Sequence, residues 1–298
     1  MLYCYLDDNF MKYDTGQLRD DVFIFGGFII DSSRLLSLRF DFAKLKAANK
    51  IPVELPVKYN LRDQNITSAF RAANEQQALQ ELISIRSDDF RKGALELLSK
   101  HQALIVCSAT HGYNDVSTRS EIFYQWSFQN TLQRIGMMVR EEEMKITTSP
   151  GSANVFVIAD WPPNKLTDRT LFRLYERGYY FGKGQTDEGK YYCGPLRKLG
   201  FYTTPFFSSA YHDPMLQVSD IVVGAVKDFL TSCINSKKVE CRRTADIFMP
   251  VLVPVFRKVN GEIMKYGLVL APSRFQEEVR ENLSIYAHKS DEGRDYPQ

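Results

Sequence analysis

Four aspartates stand where carboxylates can do chemistry. Asp7 and Asp8 close an apolar opening stretch, Asp160 closes the run Val155-Phe156-Val157-Ile158-Ala159, and Asp220 falls in the first turns of a late helical segment. In an open α/β sheet, ligands gather outside the carboxyl ends of the strands. Asp7 and Asp160 meet there if their strands are adjacent and parallel. Carboxylates without neighbouring His or Cys offer hard oxygen ligands, which suit magnesium or manganese. Two such ions clamp the attacking and leaving oxygens of a phosphodiester, so hydrolysis of that bond is the chemistry expected of the set. Aspartate is also common at strand ends, turns and helix starts for purely local reasons.

Other side chains extend this pattern. Asp213, Gln217 and Asp220 follow at i, i+4 and i+7 and share one helix face, beside the apolar Leu216, Val223 and Val226. Asp213 reads as a helix cap. Gln217 is either solvated or turned inward to orient Asp220 and contact substrate. His212 either shuttles a proton or simply caps and packs at the helix entrance. Lys58 either neutralises a phosphate or lies on the surface. Arg169, Arg173 and Arg177 recur at i, i+4 and i+8, with Tyr179, Tyr180, Phe181, Tyr191 and Tyr192 following. Phosphate contacts beside stacking platforms are what single-stranded nucleic acid requires, and the alternative is a solvated arginine face over core tyrosines. G-x-S-x-G, H-E-x-x-H, Walker and G-x-G-x-x-G motifs are all missing from the chain.

The elements that must position these groups follow from periodicity. Residues 3–8 alternate as a strand, 9–21 are polar and turn-rich, and 22–30 run apolar through Gly26-Gly27. This predicts an antiparallel pair, with the glycines marking a bulge or a close approach. Asp31-Ser32-Ser33 caps a helix to about residue 48. Residues 51–72 read as irregular, with helices at about 74–86 and 87–100 and a buried strand at 103–107 that takes Cys107 into the core. A long helix spans about 117–144, and Ser149-Pro150-Gly151 is a turn. Residues 155–160 form a strand buried on both faces, 168–180 a helix, and 202–208 a short strand. Asp213-Pro214 opens a helix to about 232. A strand at 251–256 and a short helix after Pro272 complete the reading, with the tail loose from Ser290. The order suggests one α/β domain over 1–235, with a helical insertion at about 48–100 and a C-terminal extension, 236–298, packed on it.

Composition excludes several classes. The 298 residues are 44% hydrophobic and 25% charged, which is the profile of a globular chain rather than a disordered or fibrous one. Lys and Arg number 38 against 36 Asp and Glu, so contact with nucleic acid must rest on a local patch. Five dispersed cysteines without C-x-x-C argue against a disulfide framework or a zinc cluster, and point to a reducing cytoplasm. The longest apolar run is far short of the ~20 residues a bilayer demands. No signal peptide is expected, because Asp7 and Asp8 interrupt the opening stretch.

Tyr5-Leu6-Asp7-Asp8 with the Phe-Gly-Gly-Phe strand resembles the opening of the domain-of-unknown-function 3800 family. Val157-Ile158-Ala159-Asp160 is similar to that family's central strand. Residues 216–224, Leu-Gln-Val-Ser-Asp-Ile-Val-Val-Gly, resemble its Leu-Gln-x-Ala-Asp motif, and Glu54-Leu-Pro-Val-Lys-Tyr-Asn60 resembles a Glu-x-Lys segment. The likeness spans residues 2–230 in order. It departs at Asp8, where the family carries Glu, and at Ser219, where it carries a small apolar residue. The resemblance implies a ribonuclease H-like mixed sheet with flanking helices. It also implies Asp7, Asp8, Asp160 and Asp220 as the acidic set, with Gln217 beside it. Glu121 is the candidate for the glutamate that such sites draw from the helix after the third strand. It is equally the acidic residue that a helix dipole favours in a first turn.

Two functions are then expected. One is a magnesium- or manganese-dependent nuclease acting on DNA or RNA, with Asp7, Asp160 and Asp220 as metal ligands. The other is a non-catalytic module that binds nucleic acid, a protein partner or a second copy of itself through the same surfaces.

Overall fold

The computed structural model describes residues 1–10, 22–111, 120–145, 154–161, 168–184, 189–234, 237–271 and 275–292. The predicted antiparallel pair is present as β1 (Leu2–Phe10) and β2 (Val22–Asp31). Their register runs unbroken from Leu2 opposite Asp31 to Phe10 opposite Phe23, so Gly26-Gly27 marks a close approach and not a bulge. A Cβ on Gly26 would lie 2.5 Å from the Val106 carbonyl oxygen, and one on Gly27 would collide with the Tyr5 carbonyl and Ser219 Oγ. Only glycine admits neighbours that close.

Asp31 caps α1 (Ser32–Ala48), its carboxylate accepting from Ser33 N at 2.9 Å. Part of the stretch expected to be irregular is helical, as α2 (Gln64–Ala72). It is capped by Asp63, which accepts from Asn65 N. Next come α3 (Gln76–Glu81), a π-helical segment at Leu82–Arg86, α4 (Ser87–Lys100) and the third strand, β3 (Leu104–His111). Then follow α5 (Ser120–Lys145), β4 (Val155–Asp160), α6 (Asp168–Phe181), β5 (Phe206–Ser208) and α7 (Pro214–Ile234). The turn expected at 149–151 lies outside the described residues.

The strand expected at 251–256 is not formed. Its first residues end α8 (Val239–Leu252), and the strand of this region is β6 (Leu268–Ala271), followed by α9 (Gln276–Glu292). A short apolar run satisfies a buried helix end as well as a strand, and Val251 lies in the last turn of the helix.

The sheet order is β5-β4-β1-β2-β3-β6. β1, β2 and β3 are antiparallel, while β4 pairs parallel to β1 and β5 parallel to β4. The chain is thus α/β with a six-stranded mixed sheet. Alternation along β1 sends Tyr5 into one apolar core and Cys4 and Leu6 into the other. α1, α4, α7, α8 and α9 build the first core, and α5 and α6 the second. The C-terminal extension belongs to this body, since α8 packs on α7 and β6 pairs with β3. β4 is not buried on both faces. Val155, Val157 and Ala159 are buried, whereas Phe156, Ile158 and Asp160 are half-buried.

Candidate functional site

The acidic site is built by register. β1 and β4 pair in parallel up to Leu6 opposite Ala159, so the next rung sets Asp7 level with Asp160 at the carboxyl ends of both strands. Alternation turns Asp7 to the face of Tyr5, where α7 packs, and Asp8 to the opposite face. Ser219 Oγ donates to the Tyr5 carbonyl oxygen at 2.8 Å, in the space that Gly27 leaves open. This contact holds the first turns of α7 against the sheet and carries the next residue, Asp220, to the strand ends. Asp213 caps α7 as expected, its Oδ1 accepting from Met215 N at 2.8 Å.

Three of the four carboxylates are tied to backbone donors. Asp7 Oδ1 accepts from Asp8 N at 2.7 Å. Asp160 Oδ1 accepts from Trp161 N at 3.0 Å and Ala210 N at 3.1 Å. Asp220 Oδ2 accepts from Tyr59 N. What remains is a buried surplus of oxygen. Asp7 is 4% exposed and its Oδ2 has no partner among the described residues; Gln217 is 2% exposed and its Oε1 has none either. Gln217 is therefore not the solvated residue of the simpler expectation.

Electrostatics show that these groups share one site. Burial, and then the charges of Asp220, Asp160 and Asp8, hold Asp7 well above the usual carboxylate range. Burial followed by Asp160 and Asp220 pushes Asp8 up to about 7. Asp220 rises to about 6, chiefly through burial, against the opposing pull of the Tyr59 N–H and Lys58. Asp160 is raised by burial. Lys58 answers this charge. Burial works against its ammonium, yet Asp220, Asp7, Asp63 and Asp160 outweigh it and raise its pKa.

Lys58 reaches the cluster because its segment lies along α7. Gly224, one turn beyond Asp220, has no side chain, and a Cβ there would strike the Tyr59 ring. Tyr59 OH donates to Asp228 Oδ2 a turn further on, and Phe248 packs against the same ring. Asp220, Gly224 and Asp228, at i, i+4 and i+8, thus hold the insertion onto the helix.

The donor set, four carboxylates and an amide oxygen, suits a hard divalent cation. Among the described residues, however, no group of three or more His, Cys, Asp or Glu side chains is disposed to hold a metal ion. The carboxylates form an electrostatic cluster, with Asp7, Asp160 and Asp220 each drawn towards a backbone donor, and not a closed coordination shell.

The remaining candidates are dispersed. His212 is exposed, its ring edge-on to Tyr211, on the loop whose Ala210 N–H holds Asp160. Arg173 is exposed on α6, while Arg177 Nε donates to the Gly184 carbonyl at 2.8 Å. The side chains of Arg169 and Glu121 lie outside the described residues, although Glu121 does fall in the first turn of the helix after the third strand. Cys107 is buried, and all five cysteines are unpaired.

Sequence reasoning missed two neighbours. One is the Tyr59 backbone N–H, a group every non-proline residue carries and no motif can flag. The other is Tyr124 of α5, whose buried hydroxyl is raised by burial and then by Asp8, Asp7 and Asp160, and has no partner among the described residues. Its position one turn after Glu121 was the available signal. Among the described residues no helix is long and apolar enough to cross a membrane. Comparison with protein-family models, with curated proteins and with solved structures finds no match for this chain.

Proposed function

We propose that this chain is a divalent-cation-dependent nuclease on a ribonuclease H-like scaffold, akin to the domain-of-unknown-function 3800 family that its motifs resemble. The observation that carries the reading is the buried Asp7 Oδ2, without a partner among the described residues, at the carboxyl ends of two parallel strands and ringed by Asp8, Asp160 and Asp220. The antiparallel β1-β2-β3 unit continuing into parallel β4 and β5, with helices on both faces, supports the scaffold.

Asp7, Asp160 and Asp220 would hold magnesium or manganese, with Gln217 beside them. When bound, the ion supplies positive charge to the phosphodiester as its oxygens gain charge. Asp8, with its pKa near 7, is suited to hold or pass a proton at neutral pH. Lys58 meets the negative charge of the backbone. The unpaired cysteines support a reducing, cytoplasmic setting.

A labelled single- or double-stranded DNA or RNA, incubated with magnesium or manganese, should be cut by wild type. Asp160→Asn and Asp220→Asn should each lower the rate by at least about 100-fold, because charge is lost at nearly constant shape. Undiminished cleavage by both variants refutes the assignment. A second reading, the non-catalytic binding module, is favoured by the lack, among the described residues, of a group disposed to hold metal. Binding of these substrates without cleavage under any of these conditions would select it.

A further inference from the structure

At the carboxyl end of β1, on the face that carries Asp7, lies a cavity of about 580 Å³ that is not lined by Asp7, Asp8, Asp160 or Asp220. Arg62, Arg91, Lys227 and Arg243 border it, and among the described residues Glu240 is the one acidic side chain that lines it. Its walls come from the insertion, α7 and α8, and Asn9 of β1 and Tyr59 join it to the acidic site. We infer that this cavity takes a phosphate of the nucleic-acid strand next to the one held at the carboxylates. The inference rests on the nuclease reading and names a substrate subsite for it.

The arrangement is preorganised. Arg91 is fixed by Asp88 at 2.6 Å and by the Tyr59 carbonyl at 3.2 Å. Arg243 is fixed by Asp88 and by Glu240 at 2.7 Å, and Lys227 by Asp228 at 3.1 Å. Anchored at the back, these cations keep their positions without a ligand, so little side-chain entropy is lost on binding. Arg62 is exposed at the mouth and forms no ion pair with another described residue. Guanidinium groups bind phosphate through paired N–H donors.

Spacing favours a strand over a small anion. Asn9 is two strand residues past Asp7, ~7 Å at the usual rise. Lys227 is seven helical residues past Asp220, ~10 Å. A polyanion laid over the strand ends would thus meet the acidic cluster first and the cationic cavity at its next phosphates. Tyr59 joins the two. Its N–H holds Asp220, while its carbonyl and ring hold Arg91.

Fluorescence anisotropy of a labelled single-stranded oligonucleotide, as DNA and as RNA, in EDTA tests this without cleavage. Arg62→Ala should weaken binding ~3–10-fold at low salt and make the slope of log affinity against log salt shallower by about 0.7, the change expected when one phosphate is no longer neutralised. Arg62→Lys should restore most of the affinity, and Arg62→Glu should weaken it further than Arg62→Ala. Oligonucleotides with and without a 5′-phosphate, and competition by inorganic phosphate, distinguish an internal phosphodiester from a terminal one, and either result supports the phosphate subsite. Wild-type affinity and slope in both Arg62→Ala and Arg62→Glu would overturn it, as would failure of wild type to bind at low salt. Cleavage measured in parallel separates the two readings. Arg62-dependent binding without cleavage rejects only the nuclease, whereas cleavage with Arg62-independent binding rejects only the subsite.

Discussion

Replacing Asp220 with asparagine removes a charge that the fold holds at a cost. Its carboxyl rises from the ordinary 3.8 to about 6, mainly because it is buried. A group whose pKa is higher in the folded than in the unfolded chain contributes stability that is fully present below about pH 4 and is lost as pH climbs through about 6. That rise corresponds to roughly 3 kcal/mol by pH 7, with about half of it already lost at pH 5. The asparagine amide keeps an oxygen for the Tyr59 N–H and has no proton to lose. Without divalent ions, Asp220→Asn should therefore melt above wild type at pH 8, and its advantage should widen between pH 5 and pH 8 by on the order of 1 kcal/mol, a few °C for a chain of this size. Asp7 sharpens the effect, because Asp220 is the largest charge raising it. The assay is a thermal melt across pH in EDTA, repeated with millimolar magnesium or manganese. An ion bound only by the folded protein stabilises it in proportion to ln(1 + [ion]/Kd), so wild type should gain more than the variant. A variant less stable than wild type by the same margin at pH 5 and pH 8 would refute the account of Asp220 as a strained charge. A wild-type melt indifferent to both ions would leave the binding module as the leading function.

Two further substitutions probe how the insertion is held on α7. Gly224→Ala drives a Cβ into the Tyr59 ring and should cost roughly 1–3 kcal/mol in chemical denaturation, with loss of activity as Lys58 and the Tyr59 N–H leave Asp220; an unchanged denaturation midpoint would contradict the packing. Tyr59→Phe removes the donor to buried Asp228, which keeps Thr244 and Lys227, and should cost about 1–3 kcal/mol while leaving the ion-induced melting shift intact; a lost ion response would place Tyr59 OH in the site itself.

Several features were legible in the residues alone, because local chemistry decides them. Alternation and apolar runs mark β1, β2 and β4, and the carboxylates that end β1 and β4 are visible without a fold. Asp31 and Asp213 cap helices through their own side chains, within two residues of the N–H groups they satisfy. The pairing of β1 with β4 was readable only as a condition. Elements that were misread are those whose local signal is ambiguous. Residues 251–256 carry apolar side chains that suit a helix end or a strand, and β6 is only four residues long.

Tertiary structure alone decided the rest, because it depends on contacts distant in sequence. Register makes Asp7 level with Asp160, 153 positions away. Which face of β4 is covered depends on where α7 lies. That helix packs on β1 and β2, leaving Phe156, Ile158 and Asp160 half-exposed. The fit of Ser219 against Gly27 brings α7 down on the sheet, and the fit of Tyr59 against Gly224 brings Lys58 to the carboxylates. Both glycines stood in recognisable motifs, but what fills the space they leave is a distant residue. The basic cavity draws its cations from the insertion, α7 and α8, which no sequence window spans. Carboxylate identity is thus a local property of the chain, whereas their burial, mutual repulsion and raised pKa values arise only when the sheet and α7 close around them and exclude the water that would screen each charge.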